Sequence, residues 1–108
     1  MKDLIFKNIQ RKQKTVDVSA LTGNKGDTAV IQSITLGERE HMEKYLADGE
    51  HTHRAAYIAF SLYRETDSEL ERIFGESDIA QLKELPFSVG TELYIEILRL
   101  NGLLDEKN

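Results

Sequence analysis

PFSVGTELYIEILRL, residues 86–100, is the most informative stretch of the sequence. Proline fits the first turn of a helix, and Asn101-Gly102 supplies a typical helix end. One broad apolar face carries Val89, Leu93, Ile97, Leu98 and Leu100, and Tyr94 and Ile95 extend it around the cylinder. An ordinary surface helix shows a narrower apolar stripe. This helix is therefore either central to the core, which we prefer for so small a chain, or shared with a binding partner.

The sequence before this helix predicts further helices. Thr35-Leu36-Gly37-Glu38 fits a capping box, in which the threonine hydroxyl accepts the N3 amide and Glu38 reaches back to the Thr35 amide. The helix that follows has an apolar side and ends at Asp48-Gly49. A second helix is predicted at 51–64, and its apolar face continues past a polar bend through Leu70, Ile73 and Phe74. A short helix from Ser77, with Ile79, Leu82 and Leu85 on its apolar side, then leads to Pro86.

Extended structure is predicted only near the N-terminus. Residues 1–14 form a basic arm with a weak amphipathic helix. Strand-like segments at 15–18 and 28–34 enclose the glycine-bearing loop 22–27, which predicts a β-hairpin over 15–34. The expected fold class is α+β, mostly α-helical, with this N-terminal β-hairpin followed by four or five helices over 35–104. Residues 1–108 are expected to form a single domain.

Composition narrows the function classes. Charged residues make up 31% and hydrophobic residues 40% of the 108 residues, a globular mixture. The sequence contains no cysteine, which excludes disulfides and thiolate chemistry, and no signal peptide or membrane span is expected. Residues 1–14 carry a net charge of +4 and the remainder −9, for a total of −5. An acidic body opposes nucleic-acid binding, so no nucleic-acid partner is expected.

Residue patterns that carry chemistry are weak. His51 and His53 could join His41 or Glu50 in a metal site, but positions i and i+2 of a helix do not share a face. The acidic runs are typical of solvated helix faces. A GxxG at Gly23–Gly26 is not followed by phosphate-loop spacing. We therefore expect no catalytic residues, no metal and no cofactor, and a protein that is not an enzyme.

Three stretches together resemble the tail assembly chaperone family of long-tailed, siphophage-type bacteriophages. The first runs from TVDV (15–18) to AVIQSITLGERE (29–40), where Thr35-Leu36-Gly37-Glu38-Arg39 matches the turn that opens the first main helix. The second is HRAAYIAFSLYRE (53–65). The third is RIFGESDIAQLKELPFSVGTELYIEILRLNGL (72–103), with its "I-x-x-L-x-x-L-P" motif and its "L-R-L-N-G-L" helix end. The family strand usually leads into its turn with a proline, whereas Ser19 follows Val18 here.

The resemblance implies a protein that binds the tape measure protein and keeps it soluble until the tail tube assembles around it. It also implies a location in the host cytoplasm, absence from the mature virion, and recruitment of tail tube protein through a longer form. The hairpin edge offers a site for self-association. Candidate partner-binding residues are four on the last helix and four on the hairpin: Leu93, Tyr94, Ile97 and Leu100; Val16, Val18, Val30 and Ile31. Each of them is also a candidate core residue.

Other functions compatible with the sequence are a head–tail connector or tail completion protein, which would stay in the particle, and an acidic host regulatory or antitoxin-like binder. A small enzyme with a histidine metal site is a further alternative.

Overall fold

The computed structural model describes residues 1–47 and 50–105, without the side chains of residues 50–52. The first half of the chain forms α1 (Lys2–Asn8), β1 (Gln13–Asp17), α2 (Ser19–Thr22), β2 (Thr28–Gln32) and α3 (Leu36–Leu46). The second half forms α4 (Glu50–Ser61), β3 (Leu62–Thr66), β4 (Glu69–Arg72), a 3-10 turn (Glu76–Asp78), α5 (Ile79–Leu82) and α6 (Phe87–Leu100). The predicted helix end at Asp48-Gly49 lies outside the described residues.

The four strands form one antiparallel sheet in the order β1-β2-β3-β4. The prediction of an N-terminal hairpin followed only by helices is therefore wrong, because the strands are spread through the chain. The β1–β2 hairpin exists, with Thr15 opposite Val30. Residues 62–72, predicted as the end of one helix and the apolar face beyond it, instead form a second hairpin, and Leu62 and Tyr63 pair with Ile31 and Val30 of β2.

The core is built around α4 and the start of β3. Residues 55–63 are all buried, as the helix passes directly into the strand. Helices α3, α5 and α6 lie against α4, and β2 contributes the buried Ala29 and Ile31. A helix that is apolar all round lies in the interior of a protein. The central helix is thus α4 rather than α6, which buries one stripe containing Leu93 and Ile97.

Two of the predicted helix ends are confirmed, whereas α5 begins after Asp78 rather than with a cap from Ser77. Both hydrogen bonds of the predicted capping box at α3 are present, at 3.1 Å to the Thr35 hydroxyl and 3.0 Å to the Glu38 carboxylate. At the end of α6, Gly102 adopts φ +74°, its N–H donates to the Arg99 carbonyl, and the Leu103 N–H donates to the Leu98 carbonyl. This pair of bonds is a Schellman motif. No helix within the described ranges is long and apolar enough to cross a membrane.

Candidate partner-binding surfaces

The eight predicted binding residues divide by burial. Val18, Ile31, Leu93 and Ile97 are buried in the core, Ile31 and Ile97 with no exposed surface. The other four, Val16, Val30, Tyr94 and Leu100, are partly buried. In this structure the first four residues stabilise the fold. A partner can contact their side chains only at the floor of a groove.

Three of the eight residues, Val16, Val18 and Leu93, come together along the groove between β1, α2 and α6. This β1–α6 groove has a volume of about 310 Å³. Its rim is acidic, with Asp17, Glu92 and Glu96, and Lys14 is the only basic residue among the described residues that line it. Lys14 forms an ion pair with Glu96, and this contact lowers the pKa of the Glu96 carboxyl.

A larger groove lies between α4, α5 and α6. This α4–α6 groove has a volume of about 470 Å³, and its lining includes Arg54, Lys83, Leu85, Phe87, Gly90 and Tyr94. Among the side chains that the structure describes, no aspartate or glutamate lines it, in a protein of net charge −5. Its local charge is therefore opposite to that of the chain as a whole, because Arg54 and Lys83 are cationic at neutral pH.

Arg54 is held in a fixed position at the edge of the α4–α6 groove. Its Nη1 donates to the Thr91 hydroxyl at 3.0 Å, and its guanidinium carbon lies 5.2 Å from the Phe87 ring centroid and 5.6 Å from that of Tyr94. Both ring distances are within the range of cation–π attraction. Among the described side chains Arg54 pairs with no carboxylate, so its charge can meet an acidic group of a partner.

Aromatic side chains make one wall of this groove rigid. The Tyr94 hydroxyl lies 2.9 Å from His53 Nδ1, and the rings of His53, Tyr57 and Tyr94 contact one another edge to face. Burial raises the pKa of the Tyr94 phenol, which keeps it neutral. Phe87, at the first position of α6, is 78% exposed, so an apolar ring is open to solvent beside an ordered wall.

Helix α1 is the second apolar surface open to solvent. It buries none of its residues, and Leu4, Ile5 and Phe6 are 60%, 54% and 68% exposed. Met1 and Ile9 flank it and are also exposed. Exposed apolar patches are typical of interaction sites, which makes α1 a candidate partner-binding surface.

A polar cluster surrounds Glu76 in the 3-10 turn. The carboxylate accepts a hydrogen bond from the Tyr45 hydroxyl, and His41 Nε2 lies 2.9 Å and Lys44 Nζ 3.3 Å from its oxygens. The Tyr45 bond, followed by the His41 bond, lowers the pKa of Glu76 to about 2. The cluster ties the 3-10 turn to α3, and neither groove includes it.

No grouping of three or more metal-binding side chains occurs among the described residues. The side chain of His51, considered above as a metal ligand, lies outside them. His53 contacts the aromatic wall of the α4–α6 groove.

The fold and its surfaces define a small α+β protein with two apolar grooves of opposite charge. No family model matches the chain, and no curated protein sequence matches it. Among solved structures, the tail assembly chaperone of bacteriophage HK97 is similar, with a TM-score of 0.64 and 15% sequence identity. The likeness covers 99% of this chain and 95% of that one. This chain therefore has a fold like that of a phage tail assembly chaperone, as its sequence resemblance predicted.

Of the residues that line the α4–α6 groove, only Tyr94 was predicted to bind a partner. Phe87 and Tyr94 are seven positions apart and so lie on one face of α6, with Gly90 between them. A glycine between two aromatic residues on one helix face was the available signal. That Arg54 lies beside them follows only from the packing of α4 on α6.

Proposed function

We propose that this protein is a phage tail assembly chaperone that binds the tape measure protein and keeps it soluble during tail assembly. The observation that supports this most is the likeness of fold to the HK97 tail assembly chaperone over 99% of the chain. The sequence resemblance in three separate stretches points to the same family.

The surfaces suit such a role physically. A long helical protein that has not yet assembled exposes apolar faces that aggregate. The exposed apolar residues of α1 and the two grooves can pack against the apolar side chains of a partner and so shield them from water. The net charge of −5 favours solubility of the complex.

The proposed function also implies a cellular location and further binding partners. It works in the host cytoplasm, carries out no catalysis and is absent from the mature virion. Tail tube protein joins through a longer form of the chain, and copies of the chain associate with one another. The free edge of β1 is one surface for that association.

The test is co-expression with the tape measure protein encoded in the same genome. We expect the tape measure protein to move from the insoluble to the soluble fraction and to copurify with this chain. The control is a chain with the core substitution Ile97→Glu. That substitution places a charge at a fully buried position, so the variant should not fold and should not rescue solubility.

A tape measure protein that stays insoluble beside well-folded chain would contradict the proposal. Mass spectrometry of purified virions separates the chaperone from a head–tail connector or tail completion protein. A chaperone is absent from the particles, whereas either alternative is present in stoichiometric amounts.

A further inference from the structure

The α4–α6 groove contains a glycine that the helix itself does not need. Gly90 lies in the second turn of α6, with no positive φ. A Cβ added there would meet nothing closer than the Leu85 Cβ at 3.9 Å, an ordinary van der Waals contact. Glycine weakens a helix relative to alanine. The fold would therefore accept alanine, and what glycine adds is open space in the groove wall.

The charge around that space defines what fits it. Arg54 and Lys83 line the groove with no carboxylate among the described lining side chains, and the exposed Phe87 ring adds apolar surface beside them. Arg54 is already ordered by Thr91 and two aromatic rings, so little side-chain entropy is lost when it pairs with an acidic group. The complement is a segment with apolar side chains flanked by carboxylates.

We propose that the α4–α6 groove binds an apolar segment of the partner flanked by acidic residues, and that Gly90 allows this segment to approach α6 closely. The proposal rests on the proposed chaperone function and names the surface and the chemistry of its partner. A glycine at a contact lets two backbones approach more closely than any other residue does. Complementary charge then selects the segment and sets its orientation.

The direct test uses two designed 14-residue amphipathic peptides with the same leucine pattern, one with glutamate and one with lysine at all polar positions. Binding to the full chain is measured by fluorescence anisotropy. We expect the glutamate peptide to bind at least about tenfold more tightly than the lysine peptide, a ratio that corresponds to a few surface charge pairs. Equal binding of both peptides, or binding of neither, would overturn the proposal.

Three variants locate the site. Gly90→Ala should weaken binding of the glutamate peptide by about tenfold, which one misplaced methyl group in a close contact can cause, while the melting temperature stays the same or rises. Arg54→Glu with Lys83→Glu should reverse the peptide preference. The matched control is Arg39→Glu with Lys25→Glu, which makes the same change of net charge at exposed positions outside the groove.

Other outcomes distinguish this proposal from the chaperone function and from self-association. If the unaltered chain solubilises the tape measure protein and the groove variants do so equally well, the groove assignment is wrong and the function stands. If the groove variants change the oligomeric state but not peptide binding, the groove binds a second copy instead, for which Leu103-Leu104-Asp105 has the matching apolar and acidic sequence. If the peptide preference holds while the tape measure protein stays insoluble, the groove chemistry is correct and the function fails.

Discussion

Replacing Ser68 by glycine tests whether residues 62–72 form a hairpin or a helix. Asp67 and Ser68 connect β3 to β4 and adopt φ +49° and +70°. A two-residue hairpin turn with positive φ at both positions is type I′, for which Asn-Gly is preferred. Ser68→Gly should therefore stabilise the protein if the hairpin is correct, and destabilise it if a helix ran through residue 68 instead.

A hairpin and a helix at residue 68 predict changes of opposite sign in the free energy of unfolding. A residue other than glycine in the left-handed region costs roughly 1–2 kcal/mol, which the substitution relieves. Glycine also increases the conformational entropy of the unfolded chain, which lowers the free energy of unfolding by roughly 0.4–1 kcal/mol. The two ranges combine to a net gain in the free energy of unfolding of roughly 0–1.6 kcal/mol, or about 0.8 kcal/mol at their midpoints. In a helix the same change would cost about 0.5 kcal/mol, because glycine is the poorer helix former.

Urea denaturation followed by circular dichroism resolves this difference. The matched control is Ser88→Gly, an exposed serine in the first turn of α6, where we expect a loss of about 0.5 kcal/mol. In thermal melts each kcal/mol corresponds to roughly 4–8 °C for a domain of this size. If Ser68→Gly destabilised the chain as much as Ser88→Gly does, the β3–β4 hairpin would be refuted.

Three further predictions concern the core, the N-terminal helix and pH. Ile97→Ala should lower the free energy of unfolding in urea by about 2–5 kcal/mol, because Ile97 is fully buried, whereas Ile9→Ala at a 59% exposed position should change it by less than about 0.5 kcal/mol. Equal effects would mean that the inner face of α6 is not core. Deleting residues 1–9 should leave the melting temperature within about 2 °C, since α1 buries no residue; a large decrease would show that α1 packs on the body. Because the pKa of Glu76 is lowered from 4.5 to about 2, its ionised form stabilises the fold, so the stability advantage over Glu76→Gln should be complete above pH 4.5 and disappear as pH falls toward 2. An advantage that stayed constant over this range would contradict the assignment.

Local chemistry explains which parts of the fold were predictable. The capping box at Thr35 and the helix end at Gly102 depend on residues within a few positions of each other, so the sequence alone indicates them. Strands β3 and β4 depend on the pairing of Tyr63 with Val30, which are far apart in sequence. Glutamate and arginine are common in helices, and the Asp67-Ser68 turn lacks glycine. Apart from the polar bend predicted before Leu70, the local signals there favoured a helix.

The candidate site was predictable only in part, for a related reason. A broad apolar helix face has the same pattern whether it packs on the core or on a partner. Leu93 and Ile97 lie in the buried core, whereas Phe87 on the same helix is 78% exposed. That difference arises from the packing of α6 against α4 and β2, which the sequence pattern of α6 alone does not contain.

Helix α6 separates two grooves of opposite charge. Val89 and Leu93 face the β1–α6 groove with its acidic rim, whereas Gly90 and Tyr94 face the α4–α6 groove with its basic residues. A partner segment lying across α6 would meet carboxylates on one side and cations on the other. A segment bound in the reverse orientation would place like charges next to each other, so it would bind more weakly. Since Leu93 and Ile97 anchor this helix in the core, substitutions of its inner residues disturb both grooves together. Surface changes such as Gly90→Ala are therefore the ones that separate binding from folding.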